Sequence, residues 1–268
     1  MNKLRKVVYW LALVYFQYGP IQRGKWRLLQ WLSSCLGSAE YTRDGFKLFL
    51  KPVSLLDRML ITRTDPNPIL TEAIESVIWT SGYFLDIGAN IGYFSLLAAS
   101  KGAQVIAFEP SPRELAKLYR NLLASGMTSV VVFPIALSDS EGVLPLTLAE
   151  EGNPGLNSLQ KVASGAHTIA VKVSPLSKIL APAVLRGVRL VKLDVEGHEL
   201  NVLRGMHDIM YCFKTTKFVV EITPTYLENS GHKAVQIYDF FRIHGFVPMK
   251  GMLNEFHWDE TFVPRSLK

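Results

Sequence analysis

The stretch FLDIGANIGYFSLLAAS, residues 84–100, most constrains the fold of this chain. It runs from a short apolar segment typical of a buried strand, through a turn that contains Gly88 and Gly92, into a segment typical of a helix. In doubly wound α/β sheets, a glycine-containing turn of this kind follows the first strand and lies where a nucleotide-like ligand binds. The sequence therefore predicts an α/β fold with a ligand site at this turn.

Strand-like and helix-like segments alternate in the rest of the chain. The β-rich runs are YFLDIG, QVIAFEP, VVVFPIAL, RLVKLDVE and KFVVEIT, and helical patterns lie around 92–100, 111–125, 199–210 and 233–244. This alternation predicts right-handed βαβ units, a mostly parallel sheet and helices on both of its faces. The Asp44-Gly45 turn in YTRDGFKLFLKP predicts a hairpin, and we interpret residues 140–180 as a second hairpin with a mobile loop near the site.

Charge separates the beginning of the chain from the rest. The formal net charge is +6, and six basic residues precede the first acidic residue, Glu40. Because aromatic and aliphatic residues lie between the basic ones, we distinguish a helical segment at 1–40 from a domain at 41–268. Two interpretations of the segment stay open: a helical pair docked on the domain, or a peripheral contact of residues 1–39 with a membrane interface. No basic patch continues into the domain, so we do not expect nucleic acid as a partner.

The cysteines and the hydropathy pattern bear on the cellular compartment. Cys35 and Cys212 are far apart and lack the paired spacing of a disulfide framework or a zinc site, which fits a reducing compartment. No run of about eighteen apolar residues predicts a transmembrane helix. We expect a cytoplasmic protein, held at the inner membrane surface if the N-terminal segment contacts lipid. These patterns leave the oligomeric state undetermined.

The turn itself discriminates between nucleotide-like ligands. Asn90 stands where the dinucleotide fingerprint has its second glycine, and the carboxylate of Asp86 would repel a pyrophosphate. A carboxylate instead suits a ligand with an amino group and a sulfonium, such as S-adenosylmethionine. Gly88 and Gly92 keep the turn tight, while Asn90 tolerates a left-handed backbone better than most residues.

Further polar residues follow the next strands. Glu109 comes about twenty residues after the turn, where a carboxylate accepts hydrogen bonds from ribose hydroxyls. Ser138 and Asp139 follow the third strand, within reach of an adenine amino group. Each residue alone also fits a helix cap or a solvated turn, but their shared position at strand ends favours a ligand site. The predicted cofactor-binding residues are Asp86, Gly88, Asn90, Gly92, Glu109, Ser138 and Asp139.

The candidates for catalysis lie at the ends of the fourth and fifth strands: Asp194, Glu196 and His198 in LDVEGHEL, and Glu221. Methyl transfer needs donor and acceptor in line, and an alcohol must also lose its proton to a general base. Asp194 and Glu196 point to the same side of an extended segment, with Asp194 the first candidate.

Structural roles for the same segment stay open, with Glu199 capping the next helix and Glu196 bonding backbone amides. No metal is expected, since an established ligand spacing is missing, although Asp194, Glu196 and Glu221 together offer ligands. Lys192 is interpreted as pointing to the opposite face of the sheet.

Several motifs in fixed order resemble one known family. DIGANIGYFSL, FEPSP, ALSDSEG, VKLDVEGHELNVLRG and VVEITP are similar to the FkbM-type methyltransferases of the class I S-adenosylmethionine-dependent superfamily, over roughly residues 41–250. The resemblance implies a Rossmann-like class I fold with a seven-stranded sheet and one antiparallel strand. It also implies S-adenosylmethionine as methyl donor and O-methylation of a hydroxyl on a sugar or other natural product.

The combined prediction is an O-methyltransferase that acts on a saccharide-containing acceptor, in surface-glycan biosynthesis. Three alternatives stay open. The first is an O-methyltransferase of a soluble secondary metabolite such as a polyketide, the second is a nicotinamide-dependent oxidoreductase, and the third is a catalytically silent ligand-binding domain.

Overall fold

A computed structural model describes residues 2–18, 24–149, 157–159, 167–253 and 255–267. In chain order its strands are β1 (Ala39–Arg43), β2 (Phe46–Leu50), β3 (Tyr83–Ile87), β4 (Gln104–Phe108), β5 (Val130–Phe133), β6 (Ala136–Leu137), β7 (Gly142–Thr147), β8 (Thr168–Ser174), β9 (Val188–Leu193), β10 (Lys217–Ile222), β11 (Phe246–Pro248) and β12 (Trp258–Pro264). Its α-helices are α1 (Asn2–Tyr18), α2 (Lys25–Leu36), α3 (Leu55–Ile61), α4 (Pro68–Ser76), α5 (Tyr93–Ser100), α6 (Pro112–Ser125), α7 (Pro182–Leu185), α8 (Glu199–Gly205), α9 (Pro224–Asn229) and α10 (Ala234–Ile243).

The central sheet has seven strands in the order β11-β12-β10-β9-β3-β4-β5. Strand β12 is antiparallel to both of its neighbours, and the pairs from β10 to β5 are parallel. One face is covered by α8 and α10, which bury Leu203 and Phe241, and the other by α4, α5 and α6, which bury Ile74, Leu97 and Leu118. The predicted Rossmann-like sheet with one antiparallel strand is confirmed.

The strand order changes direction between β3 and β9. The chain leaves β3 for β4 on one side and later returns to β9 on the other, with Asp86 paired to Lys192 and Ile87 to Leu193. Loops that follow two such strands diverge at the carboxyl edge and leave a crevice between them. The crevice therefore lies between the glycine turn after β3 and the acidic segment after β9.

The strand predicted at VVVFPIAL is divided in the structure. Its first half forms β5 in the central sheet, whereas β6 pairs with β8 in a separate three-stranded sheet. Pro134 lies between them and has no N–H for a continuous ladder.

Both predicted hairpins are present, β1 with β2 and β7 with β8. Residues 150–156 and 160–166, to which the predicted mobile loop belongs, lie outside the described residues.

The N-terminal segment contains α1 and α2, which pack together, and α1 also contacts β1. Tyr9 and Leu29 are buried, and the Tyr9 hydroxyl donates a hydrogen bond to the Gly37 carbonyl. Among the described residues, no helix is long and apolar enough to cross a membrane. The division into a segment at 1–40 and a domain at 41–268 stays a prediction.

Candidate active site

Two cavities lie side by side at the carboxyl edge of the sheet and share Gly88, Asn90, Asp194 and Glu196. The first cavity is also lined by Phe108, Glu109, Ile135, Ala136, Leu137, Leu146 and His198. The second cavity is also lined by Leu55, Leu56, Met59, Asn67, Lys192, Glu221, His257 and Asp259.

The glycine turn is shaped by close contact with the segment after β9. Gly88 has φ of +82°, and a Cβ built on it would lie 1.8 Å from the carbonyl oxygen of Asp194. Asn90 and Gly92 also have positive φ, at 52° and 83°. Only glycine fits at position 88 without moving Asp194, and asparagine is among the residues that adopt φ of this sign most readily. This geometry agrees with the prediction that Gly88 and Gly92 keep the turn tight and that Asn90 adopts a left-handed backbone.

Glu109 binds the turn from the end of β4. Its buried carboxylate accepts the Asn90 N–H through Oε2 and the Ser111 N–H through Oε1, each at 2.8 Å. Burial raises the pKa of Glu109 to about 7, against the lowering effect of these two hydrogen bonds. Each carboxylate oxygen keeps a second lone pair, and Glu109 lines the first cavity. The Asn90 Oδ1 atom is buried and has no hydrogen-bond partner in the described part of the chain.

Asp86 lies beneath the turn. It is fully buried, accepts a hydrogen bond from Ser95 Oγ at 2.6 Å, and has its Oδ1 atom 3.5 Å from Lys192 Nζ. Within the described ranges it does not line either cavity. A direct contact between Asp86 and the donor therefore stays a prediction.

The prediction that Lys192 points to the opposite face of the sheet is wrong. Its Nζ atom lies in the site, donating to the Gly88 carbonyl at 2.6 Å and forming an ion pair with Asp194 Oδ2 at 3.1 Å. Burial lowers the pKa of Lys192, but Asp194 and Asp86 raise it by more, so it lies above its usual value. The physical reason is the two-residue period of a strand, which directs residues 192 and 194 to the same face.

Ser138 contacts both Asp139 and His198, and His198 lines the first cavity. Ser138 Oγ lies 3.0 Å from His198 Nε2, and both residues are buried. Burial lowers the pKa of His198 to about 4, so the ring is neutral at pH 7. Asp139 is exposed and accepts a hydrogen bond from Asn201 Nδ2 at 3.3 Å. Neither Ser138 nor Asp139 lines the cavity formed by the described residues, and their contact with adenine stays a prediction.

Asp194, Glu196 and Glu221 form a carboxylate cluster whose oxygens lie within 4.8 Å of one another. Burial, followed by the charges of Asp194 and Glu199, raises the pKa of Glu196 to about 9. Burial, Asp194 and Glu196 likewise raise the pKa of Glu221 well above its usual value. The cluster therefore retains protons at neutral pH. The same three carboxyl groups could also hold a metal ion.

Glu199 fixes the loop that carries the cluster. Its buried Oε1 atom accepts the Val195 N–H at 3.1 Å and the Gly197 N–H at 3.0 Å. Ser158 Oγ donates to the Glu196 carbonyl at 2.7 Å, and Glu196 has φ of 54°. Glu199, for which the sequence suggested a helix cap, thus bonds backbone amides, the structural role that was suggested for Glu196.

Sequence reasoning missed part of the second cavity. His257 Nδ1 lies 3.6 Å from Glu221 Oε1 and 2.9 Å from Thr223 Oγ1, and Asp259 lies on the same strand segment. Because β12 is antiparallel to β10 and pairs Trp258 with Ile222, it begins at the carboxyl edge. The antiparallel strand implied by the resemblance was a signal for this position.

The strand order, the glycine turn and the carboxylates at the strand ends define a class I methyltransferase fold and site. The chain matches the methyltransferase FkbM domain over residues 86–248, and it belongs to the FkbM methyltransferase family. This confirms the resemblance seen in the motifs. S-adenosylmethionine is the methyl donor that membership implies.

Three relatives illustrate the range of the family. The hexuronic acid methyltransferase AglP of Haloferax volcanii is 30% identical over 251 residues, which cover 88% of this chain and 94% of AglP. Methyltransferase 1 of Beauveria bassiana is 31% identical over 146 residues, covering 47% of this chain and 59% of that protein. The 31-O-demethyl-FK506 methyltransferase FkbM of Streptomyces tacrolimicus is 30% identical over 153 residues, covering 46% and 58%. The chain thus spans about three fifths of the length of the latter two.

Proposed function

We propose that this protein is an S-adenosylmethionine-dependent O-methyltransferase that acts on a hydroxyl of a saccharide-containing acceptor. The observation that carries the proposal is the pair of cavities that share Gly88, Asn90, Asp194 and Glu196. The first cavity binds the donor and the second binds the acceptor. The reacting atoms then meet beside Asp194 and Glu196, where an in-line displacement is geometrically accessible.

The polar and apolar residues that line the first cavity suit the different parts of S-adenosylmethionine. Glu109 offers free lone pairs to ribose hydroxyls, and the unpartnered Asn90 Oδ1 offers a further acceptor. Apolar side chains suit the adenine ring, namely Phe108, Ile135, Leu137 and Leu146. When bound, S-adenosylmethionine supplies an electrophilic methyl group on a sulfonium, whose positive charge the carboxylate of Asp194 favours.

The second cavity suits a polyhydroxylated acceptor. Four acidic residues line it: Asp194, Glu196, Glu221 and Asp259. The carboxyl oxygens of such a wall accept hydrogen bonds from hydroxyls. Leu55, Leu56 and Met59 form an apolar wall that packs against the CH face of a sugar ring. The alignment with AglP over most of both chains supports the same acceptor class.

The same cluster supplies the proton acceptor for the reaction. Asp194 lies at the junction of the cavities, with Lys192 balancing its charge at 3.1 Å. Glu196 holds its proton at neutral pH because its pKa is raised to about 9, so only its ionised form, which increases as the pH rises, accepts the alcohol proton. The alcohol proton passes to Asp194 or Glu196 as the oxygen attacks the methyl carbon. His198 and Glu221 complete the proposed set, His198 beside the donor and Glu221 beside the acceptor.

A second candidate is O-methylation of a soluble secondary metabolite. The Streptomyces relative is a 31-O-demethyl-FK506 methyltransferase, and the apolar wall at Leu55, Leu56 and Met59 also fits an acceptor of that kind. Nicotinamide chemistry gains no support from the family match. A cytoplasmic location, peripheral membrane contact through residues 1–39 and the absence of a nucleic acid partner belong to the proposal and await test.

Two measurements test the proposal. Calorimetry with S-adenosylhomocysteine and, separately, NADH should show binding of the first alone; binding of NADH would support the oxidoreductase. Protein incubated with methyl-labelled S-adenosylmethionine and a fractionated extract of source cells lacking the gene should then label glycolipid or polysaccharide. Label confined to soluble small molecules would favour the second candidate, and binding without any transfer would favour a silent domain.

A further inference from the structure

Helix α1 carries apolar residues on the side that faces away from the protein. Its inner face buries Tyr9, Ala12 and Leu13. An outer stripe at successive spacings of three and four residues is exposed nonetheless: Leu4, Val7, Leu11, Val14 and Tyr18. Trp10 lies beside this stripe and is 60% exposed. A surface helix is normally polar on its outer side, so this pattern indicates that a binding partner covers the apolar stripe of α1.

Helix α2, which packs against α1, continues the pattern. Its buried positions include Leu29 and Ser33, whereas Leu28 is exposed and Trp31 is 61% exposed. Leu28 and Trp31 are three residues apart and therefore lie on one face of α2, which is exposed at both positions. We call the outer stripe of α1, Trp10, Leu28 and Trp31 the outer face of the helix pair.

Charge identifies the covering partner. Residues 2–39 contain no acidic residue, and the cations Lys3 and Arg27 are exposed on these helices. Tryptophan and tyrosine beside basic residues suit the headgroup region of an anionic bilayer. A second copy of the chain would bring the same positive charges together in a two-fold contact, which disfavours that occupant.

The helix pair adjoins the proposed acceptor cavity. The Arg58 guanidinium of α3 lies 5.4 Å from the centre of the Phe16 ring of α1. The same short helix supplies Leu55, Leu56 and Met59 to the second cavity. Helix α1, which carries the outer stripe, is therefore in contact with the helix that forms the apolar wall of this cavity.

We propose that the outer face of the helix pair binds anionic lipid bilayers and brings the second cavity to a lipid-carried acceptor. The acceptor part of this inference rests on the catalytic part of the proposed function, whereas membrane binding does not depend on catalysis. The test uses full-length protein and vesicles of phosphatidylcholine alone or mixed equally with phosphatidylglycerol. Trp10→Ser/Trp31→Ser removes two aromatic anchors, and Ile78→Ser/Leu123→Ser is the matched control, because Ile78 and Leu123 are exposed and lie outside residues 1–39.

The unaltered protein and the control should sediment with the mixed vesicles, and less so at high salt. The tryptophan variant should partition into the mixed vesicles at least about tenfold more weakly than the unaltered protein. Its binding of S-adenosylhomocysteine should stay unchanged. No vesicle binding by the unaltered protein, or equal binding by the tryptophan variant, would overturn the inference. A dimer that the tryptophan changes convert to a monomer, without vesicle binding, would assign the face to self-association instead. If the unaltered protein does not bind S-adenosylhomocysteine, the proposed function is contradicted, whereas the vesicle result still decides membrane binding.

Discussion

Gly88 lies so close to Asp194 that a Cβ at position 88 would come within 1.8 Å of the Asp194 carbonyl oxygen. This contact joins the turn after β3 to the acidic segment after β9, and the two cavities meet there. The position of the carboxylates proposed for catalysis thus depends on the absence of a side chain at position 88.

Gly88→Ala should abolish S-adenosylhomocysteine binding and destabilise the fold by about 2 kcal/mol or more, because the new methyl group displaces Asp194. Calorimetry and thermal unfolding measure the two effects. Gly142→Ala is the control, since nothing lies within 4 Å of a Cβ at that position. Unchanged ligand binding by Gly88→Ala would show that the contact does not shape the donor site.

Glu109→Gln should weaken S-adenosylhomocysteine binding roughly 10- to 100-fold. The amide retains one oxygen but cannot accept both the Asn90 and Ser111 N–H groups, which Glu109 binds at 2.8 Å. Titration calorimetry of the variant against Glu72→Gln, an exposed position, isolates the effect. Equal affinities in the two variants would remove Glu109 from the donor site.

Asp194→Asn and Glu196→Gln should each lower kcat by roughly 10²–10⁴-fold with little change in S-adenosylhomocysteine affinity. In the unaltered enzyme, activity should rise as the pH approaches the Glu196 pKa of about 9, since its base form increases. Glu196→Gln should lose this rise if Glu196 takes the proton. Asp208→Asn, at an exposed position, serves as control. Full turnover in both active-site variants would exclude both residues as the proton acceptor.

Chelation should leave activity unchanged. Lys192 Nζ lies 3.1 Å from Asp194, and raised pKa values keep protons on Glu196 and Glu221, so the cluster has little net charge for a cation to neutralise. Activity after dialysis against EDTA, with and without restored Mg²⁺, is the measurement. Loss on dialysis and recovery with Mg²⁺ would assign the three carboxylates to a metal.

The fold should also become less stable as buried Glu199 ionises. Burial raises its pKa from 4.5 to about 7, so the native state binds this proton more tightly than the unfolded chain. The stabilisation is complete below about pH 4.5 and is lost as the pH rises through about 7. Relative to Glu199→Gln, the free energy of unfolding of the unaltered protein should fall by roughly 1–3 kcal/mol between pH 5 and pH 8. Urea unfolding of both proteins at each pH measures it, and parallel pH profiles would contradict the assignment.

Much of the fold follows from local patterns in the sequence. Strand β3, the turn at Gly88 and helix α5 combine an apolar run, glycines and helical periodicity, and all lie within a few residues of their predicted bounds. Lys192 was misplaced although the alternation of a strand places it on the same face as Asp194. The two-residue period of this strand was sufficient to predict the position of Lys192 correctly.

Other parts of the site depend on distant contacts. His257 reaches Glu221 because the final strand runs antiparallel beside β10, a pairing that no local pattern of HWDE contains. Ser138 meets His198 across 60 residues of sequence. Helix α3 has only seven residues, too few for a clear helical period, and yet it forms one wall of the second cavity.

The central claim is transfer of a methyl group to a saccharide hydroxyl, and the chemical stability of the product tests it most directly. Material labelled from methyl-labelled S-adenosylmethionine should be isolated in the glycan fraction and treated with mild alkali, which cleaves methyl esters and leaves methyl ethers intact. The account predicts label that stays on the sugar after alkali, and far less label with Asp194→Asn. Release of the label as methanol would mean that a carboxylate, not a hydroxyl, is the acceptor, and would contradict the account.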